Sequence, residues 1–302
     1  MRVVIKNSAT ELLVYAAKYV VESIRDFAPS ENRFFTMVLP TPTEQNAAFF
    51  VTLVDLYNRG CVSFKHVVFF QMKEYCGIPR TDVRSVACQQ YDAFFKFVDA
   101  SPEHVFFLNG LTADYQEECA LFEKAIQHYG GIRLVCTEVD SEGAIGGNAP
   151  GSSLDSRTRL KTCSNSVVND RYCSRNDRDS DDEAAPAFAL TRVLTMGIGT
   201  IMEAKEIIAL FIGYHSARSL HHAVEMSVSN MFPATILQSH EHVCIVAERR
   251  SISSLHYCNV EYFVGLCDNY NAVNNVDDTP LYMSLKSVNP SGSNTVSSTV
   301  KA

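Results

Sequence analysis

The chain lacks a surplus of positive charge: 26 Lys and Arg stand against 34 Asp and Glu, for a formal net charge of -8. A surface of that sign repels phosphate backbones, which excludes nucleic acid as a general partner. It also lacks any Cys-x-x-Cys pair. Its ten cysteines, at 61, 76, 88, 119, 136, 163, 173, 244, 258 and 267, therefore encode neither a zinc knuckle nor a redox pair, and read as mostly buried thiols of a reducing compartment. No apolar run approaches the roughly 20 residues of a membrane span. The opening run, Met1-Arg2-Val3-Val4-Ile5-Lys6, stops at its lysine, too soon for a secretory segment. The expectation is a soluble cytoplasmic protein without a membrane partner, and no internal repeat divides it.

What is present is 302 residues, 46% hydrophobic and 20% charged, enough to bury one sizeable core and too apolar for disorder over most of the length. Short runs rich in Val, Ile and Phe predict strands at Phe34 to Leu39, His66 to Met72, Val105 to Leu108, Ile132 to Val139, Ile207 to Gly213 and His242 to Ala247. Apolar residues three or four apart predict helices at Thr10 to Phe27, Asn46 to Tyr57, Asp114 to Tyr129 and Ser216 to Ser229. Alternation of the two predicts a three-layer α/β/α sandwich around a mostly parallel, Rossmann-like sheet. The domain spans 1–267. From about Asp268 to Ala302, Asn, Ser, Val and Pro dominate without helical period, and a disordered tail is expected.

Ligands of open α/β sheets bind outside the carboxyl ends of the strands. That directs attention to Leu39 to Glu44, Met72 to Tyr75, Thr137 to Pro150 and Gly213 to Ser216. The stretch Arg175 to Glu183, with two Arg and five acidic residues, reads as a solvated loop.

Ordered blocks run through these segments: Val38-Leu39-Pro40-Thr41; Val62-Ser63-Phe64-Lys65; Met72-Lys73-Glu74-Tyr75 with Gly77 and Pro79; Asn148-Ala149-Pro150-Gly151-Ser152-Ser153-Leu154; Ser156-Arg157-Thr158-Arg159 with Lys161-Thr162; and Thr195-Met196-Gly197-Ile198-Gly199-Thr200. In them the sequence resembles glucosamine-6-phosphate deaminase, also called glucosamine-6-phosphate isomerase, the animal form more than the bacterial, from Met1 to about Tyr262. The resemblance implies an aldose-to-ketose isomerisation coupled to loss of ammonia, turning glucosamine 6-phosphate and water into fructose 6-phosphate and ammonia without metal or redox cofactor. Such chemistry needs a carboxylate to move a proton between C2 and C1, an imidazole to open the ring, acids to orient that imidazole, and donors for the phosphate.

Against that family the active site is depleted. The proton-shuttling Asp of its Met-Asp-Glu-Tyr motif is Lys73 here, a cation at neutral pH unless strongly desolvated. Its Gly-Pro-Asp-Gly-His-Ile-Ala-Phe-Asn-Glu-Pro becomes Asp140-Ser141-Glu142-Gly143-Ala144-Ile145-Gly146-Gly147-Asn148-Ala149-Pro150. Ala144 thus replaces the ring-opening His, Ala149 its orienting Glu, and Glu142 keeps an acid. The phosphate loop Pro-Thr-Gly-Ser-Thr-Pro reads Pro40-Thr41-Pro42-Thr43-Glu44-Gln45, with Thr41 and Thr43 as remaining hydroxyls and Pro42 removing an N–H. The phosphate Lys is Ser216. Arg171 matches a phosphate Arg of the lid, and Arg218 is a substitute cation for the same task. By contrast Ser152, Arg159, Lys161 and Tyr262 all match the family's second, allosteric sugar-phosphate site, where a hydroxyl with Arg and Lys holds a phosphate by charge-assisted bonds.

Alternatives stand beside each assignment. Lys73 is either an imine-forming lysine or a cation neutralising Glu74 or Glu142. Glu142 is a working acid or a surface one. Arg159 and Lys161 are a ligand site or a solvated strand stripe. His221-His222 and His240-Glu241-His242 have no further ligands in the sequence, so no metal is expected. Gly197-Ile198-Gly199 is too short a match for nucleotide binding. Three functions follow: a catalytically disabled paralogue, a pseudoenzyme that binds an amino-sugar phosphate (glucosamine 6-phosphate or its N-acetyl form); an active deaminase or related sugar-phosphate hydrolase with substituted residues; and a structural partner in a homo-hexamer or in mixed hexamers with an active deaminase.

Overall fold

The computed structural model describes residues 1–162 and 191–274. Seven strands form one parallel sheet: β1 (Arg2–Lys6), β2 (Phe35–Val38), β3 (Val67–Phe70), β5 (Val105–Phe106), β6 (Leu134–Glu138), β9 (Glu206–Phe211) and β10 (Val243–Glu248), in the order β1-β10-β9-β6-β2-β3-β5. A second sheet is antiparallel, with β8 (Arg192–Thr195) between β4 (Lys73–Tyr75) and β7 (Arg159–Thr162). The helices are α1 (Ala9–Phe27), α2 (Ala47–Asn58), α3 (Val86–Ala93), α4 (Tyr115–His128), α5 (Ile198–Met202), α6 (Ala217–Glu225) and α7 (Tyr257–Asn274).

The large sheet is buried on both faces because its strands are apolar at consecutive positions, and the pleat sends neighbours to opposite sides. In β10, Val243, Ile245 and Ala247 join one core cluster while Cys244 and Val246 join the other. The second cluster takes Leu12, Leu13, Ala16, Ala17, Val20, Val21 and Ile24 of α1 with Phe49, Phe50, Leu53 and Leu56 of α2. The first takes Cys119, Phe122 and Ile126 of α4 with Leu220 and Ala223 of α6. Two helical layers thus enclose the sheet, as the sequence pattern predicts. The starts are fixed locally: Ser8 accepts from the Glu11 amide at 3.2 Å, and Asp114 from those of Gln116 and Glu117 at 2.8 and 3.0 Å.

Several elements differ from the expectation. Met1 to Lys6 carries an edge strand, β1, paired parallel to β10. The helix expected over 216–229 is shorter, opening with a single 3-10 turn at Tyr214–Ser216 and closing at Glu225, where Met226 turns extended. The last helix runs past the boundary expected at 267, to Asn274. The acidic stretch Arg175 to Glu183, Arg171 and residues 275–302 lie outside the described residues. Among the described residues, no helix is long and apolar enough to cross a membrane.

Candidate functional site

The carboxyl ends of β2, β3, β6 and β9 converge on the segments singled out from the sequence. Directly after β3, Gln71 is buried and fixes the turn: its Oε1 accepts from the Leu108 amide at 2.8 Å, and its Nε2 donates to Glu74 at 3.0 Å. Glu74 is 2% exposed. Its Oε2 also accepts from Ser85 Oγ and the Ala87 amide at 2.9 Å each, and its Oε1 from the amides of Tyr75 and Val86 at 2.8 and 3.0 Å. Five donors satisfy this side chain at the first turn of α3. None of the five is Lys73. Through these five bonds Glu74 is the clamp that attaches α3 to β4.

Lys73 itself is 5% exposed, and its Nζ lies 5.9 Å from the centre of the Tyr75 ring, two residues along the same face. In β4, Lys73 stands opposite Thr195, which stands opposite Arg159 on the other side; Tyr75, Val193 and Lys161 form the next row. Directly opposed antiparallel residues share a face. The position of the family's base and two of its allosteric cations therefore lie on one face of the small sheet.

The segment Val139 to Ser152 covers that face. The Gly147 amide donates to Thr195 Oγ1 at 3.1 Å, and Asn148, fully buried, donates from Nδ2 to the carbonyls of Ile145 and Met196 at 3.0 and 2.8 Å. Gly146 sits at φ +64°, and a Cβ there would lie 2.7 Å from Met72 Cγ, so a side chain meets strain and displaces the Met72 side chain. Asp140 shapes the start of the loop: its Oδ1 accepts from the amides of Glu142 and Ala144 at 3.0 and 2.9 Å. The Glu142 side chain is consequently exposed, whereas Ala144 is buried and Ala149 half-buried. Among the described residues, the His–carboxylate contacts are those of His221 and His256 with Glu225 and of His242 with Glu241. None involves Glu142 or the Lys73 strand.

The loop after β2 is closed on itself by Asn46, which is fully buried. Its Oδ1 accepts from the Thr43 amide at 2.8 Å, its Nδ2 donates to the Thr41 carbonyl at 2.9 Å, and the same Nδ2 donates to Glu138 Oε2 at 3.0 Å. Glu138, at the end of β6, thus brings a carboxylate to the segment that matches the family's phosphate loop. Sequence reasoning passed over Asn46 and Glu138, although an acid ending an otherwise apolar central strand is itself a signal. Ser216, the position of the phosphate Lys, is buried and donates its hydroxyl to the Gly213 carbonyl at 2.9 Å. Arg218 lies on α6 with its guanidinium 5.1 Å from the Phe232 ring centre.

Of the four allosteric positions, Ser152 and Lys161 meet. Lys161 Nζ donates to the Ala149 carbonyl at 3.2 Å and to the Ser152 hydroxyl, and Ser152 Oγ donates to that same carbonyl at 2.6 Å. Arg159 is half-buried, and burial draws its guanidinium below its ordinary value; it donates to the Arg157 carbonyl at 3.3 Å. Behind them Glu123 of α4 holds Thr158, Thr200 and Arg157. Burial works to raise this carboxyl, and the hydrogen bonds from Thr158 and Thr200 outweigh it, leaving the group lowered. Tyr262 stands elsewhere, 61% exposed on α7 beside Phe263, a helix that packs against β1. Gly197, of the two-glycine match, starts α5; a Cβ there would lie 2.0 Å from the Ser156 carbonyl oxygen, so the glycine serves close packing of two backbones.

A parallel seven-stranded sheet enclosed by two helical layers, with a small antiparallel sheet beside its carboxyl ends, defines the class: a three-layer α/β/α protein. No family model matches the chain. It is 36% identical over 268 residues to glucosamine-6-phosphate deaminase of Pasteurella multocida, covering 88% of this chain and 97% of that protein. It is also 36% identical over 273 residues to human glucosamine-6-phosphate deaminase 2, covering 90% and 95%. A solved monomeric glucosamine-6-phosphate deaminase superposes with a TM-score of 0.75 at 26% identity, over 84% of this chain and all of that one. The 6-phosphogluconolactonase of Trypanosoma brucei, at TM-score 0.64 and 15% identity over 84% of this chain and 98% of its own, shares the fold. The chain belongs to the glucosamine-6-phosphate deaminase family.

Proposed function

We propose that this chain binds an amino-sugar phosphate, glucosamine 6-phosphate or its N-acetyl form, without running the family's deamination, and acts as a binding or regulatory member of amino-sugar metabolism in the cytoplasm. The observation that carries the reading is the buried Lys73 at the position of the proton-shuttling carboxylate, together with Ala144 where the ring-opening imidazole belongs. Losing a general acid or base costs about a hundred- to ten-thousand-fold each. The loop matching the phosphate site adds to this, since Asn46 takes its Thr43 amide and Glu138 brings it an anion.

The ligand site that remains is Ser152 with Lys161 and Arg159. The polar atoms of Ser152 and Lys161 are held by the Ala149 carbonyl, which a phosphate oxygen can replace. Titration calorimetry with both sugar phosphates, run beside an ammonia-release assay, tests the reading. Binding that Lys161→Ala weakens by about ten- to a hundred-fold, as expected for one charged hydrogen bond, with no ammonia released, is the expected result. Ammonia release at the rate of an active deaminase overturns it. Assembly as a homo-hexamer, or as a mixed hexamer with an active deaminase, belongs to the same proposal. The solved relative is described as monomeric, so sizing with and without an active deaminase decides the matter.

A further inference from the structure

The fold gathers a side-chain cluster outside the candidate site described above. Glu225, in the last turn of α6, is 5% exposed, and its Oε2 lies 2.7 Å from Nδ1 of His221 and 2.7 Å from Nδ1 of His256. His221 is one helical turn before it, so both face the same side of α6. His256 immediately precedes α7, and its ring centre is 5.9 Å from that of His221. The other carboxylate oxygen, Oε1, accepts from the His256 amide at 2.9 Å and from Asn259 Nδ2 at 2.8 Å. The carboxylate is therefore oriented through Oε1, while two imidazole nitrogens converge on Oε2. All three candidate donor atoms lie within 4.8 Å of one another.

We propose that His221, Glu225 and His256 form a binding site for a divalent transition-metal ion of the zinc type, which clamps the end of α6 to the start of α7. Two imidazoles and one carboxylate are the donor set of zinc sites with an open position, and nitrogen donors select against calcium and magnesium. One carboxylate with two imidazole lone pairs would neutralise a dication in part and leave room for water. On binding, each ring moves its proton from Nδ1 to Nε2 through solvent, and both Nδ1 lone pairs turn to the ion. His256 is 72% exposed and His221 24%, which leaves a path for that proton and for the ion. Asn259 and the His256 amide supply the outer hydrogen bonds that hold a ligating carboxylate in place.

The experiment is titration of the untagged full chain with zinc and with cobalt, following heat and visible absorption. One equivalent should bind, with cobalt absorption free of a thiolate charge-transfer band. His256→Asn should weaken it at least about a hundredfold, the upper end of what loss of a mere supporting contact costs. His256 is the most exposed of the three, so its replacement leaves the core intact, and thermal melting without metal confirms the fold of the variant. His221→Asn should do the same. Zinc should raise the melting temperature of the parent chain and not of either variant. Binding of equal strength in the variants, a cobalt spectrum dominated by thiolate, or no saturable equivalent overturns the proposal.

Discussion

Restoring the family's groups tests the proposed loss of chemistry separately from any loss of binding. Lys73→Asp with Ala144→His returns a carboxylate and an imidazole, each worth about a hundred- to ten-thousand-fold in proton transfer. The phosphate loop would still meet Glu138, whose carboxylate is 3.0 Å from the Asn46 amide that organises the loop. For two unit charges about 5 Å apart at an effective dielectric constant of about 20, the repulsion is about 3 kcal/mol, or about two powers of ten in binding, and this is the size expected for a phosphate brought to that loop. The double variant is therefore expected to release ammonia with a recovered kcat and a raised KM. Adding Glu138→Gln keeps the hydrogen bond to Asn46, removes the charge and lowers KM about a hundredfold with little change in kcat. Steady-state ammonia release across substrate concentration reads both constants. Equal KM in the double and triple variants would refute the electrostatic argument, and a parent chain as fast as the double variant would refute the assignment of Lys73 and Ala144 as the lesion.

Glu74→Ala should destabilise the fold by about 3–5 kcal/mol in urea unfolding, because five buried donors lose their acceptor together and such losses do not add in full; a change below about 1 kcal/mol would remove Glu74 as the clamp of α3. Glu225 carries a pH dependence: burial works to raise its carboxyl, but hydrogen bonds from Asn259, His256 and His221 outweigh that and hold it at about 2, below its ordinary 4.5. A lowered folded value means stability fully present above pH 4.5 and lost as pH falls toward 2, so acid melting curves of the parent and of Glu225→Gln should converge at the low end. Gly146→Ala, at φ +64° and with Met72 Cγ 2.7 Å from the new Cβ, should cost about 1–2 kcal/mol for the left-handed backbone alone, and thermal melting checks it.

The layers of the large sheet were legible because their signal is local: apolar runs for doubly buried strands, and a helical period such as that of Leu12, Leu13, Ala16 and Ala17 for a helix against them. The small antiparallel sheet was not, for a physical reason. Lys73-Glu74-Tyr75 and Arg159 to Thr162 carry charged residues whose burial is compensated by partners far along the chain: the α3 turn around Glu74, and the Ala149 carbonyl and Ser152 at Lys161. A single-strand pattern contains none of that. The same limit hid β1, whose short run is an edge strand only because β10 lies beside it.

The candidate site shows where residue identity and residue placement part. Identity alone divided the positions into a depleted catalytic set and a retained allosteric set, as if they were two places. The register of β4, β8 and β7 puts Lys73, Thr195 and Arg159 in one row and Lys161 in the next, and one loop, Ile145 to Ser152, is hydrogen-bonded to both Thr195 and Lys161. Strands about 4.8 Å apart place the outer members of such a row about 10 Å from each other. On the function proposed above, a lysine where the family has an aspartate puts a third basic side chain on the face that also carries Arg159 and Lys161. A phosphate that displaced the Ala149 carbonyl from Lys161 would then meet that altered field. Lys73→Met is expected to weaken sugar-phosphate binding without steepening its residual salt dependence, whereas an unchanged affinity would mean that the two rows act independently.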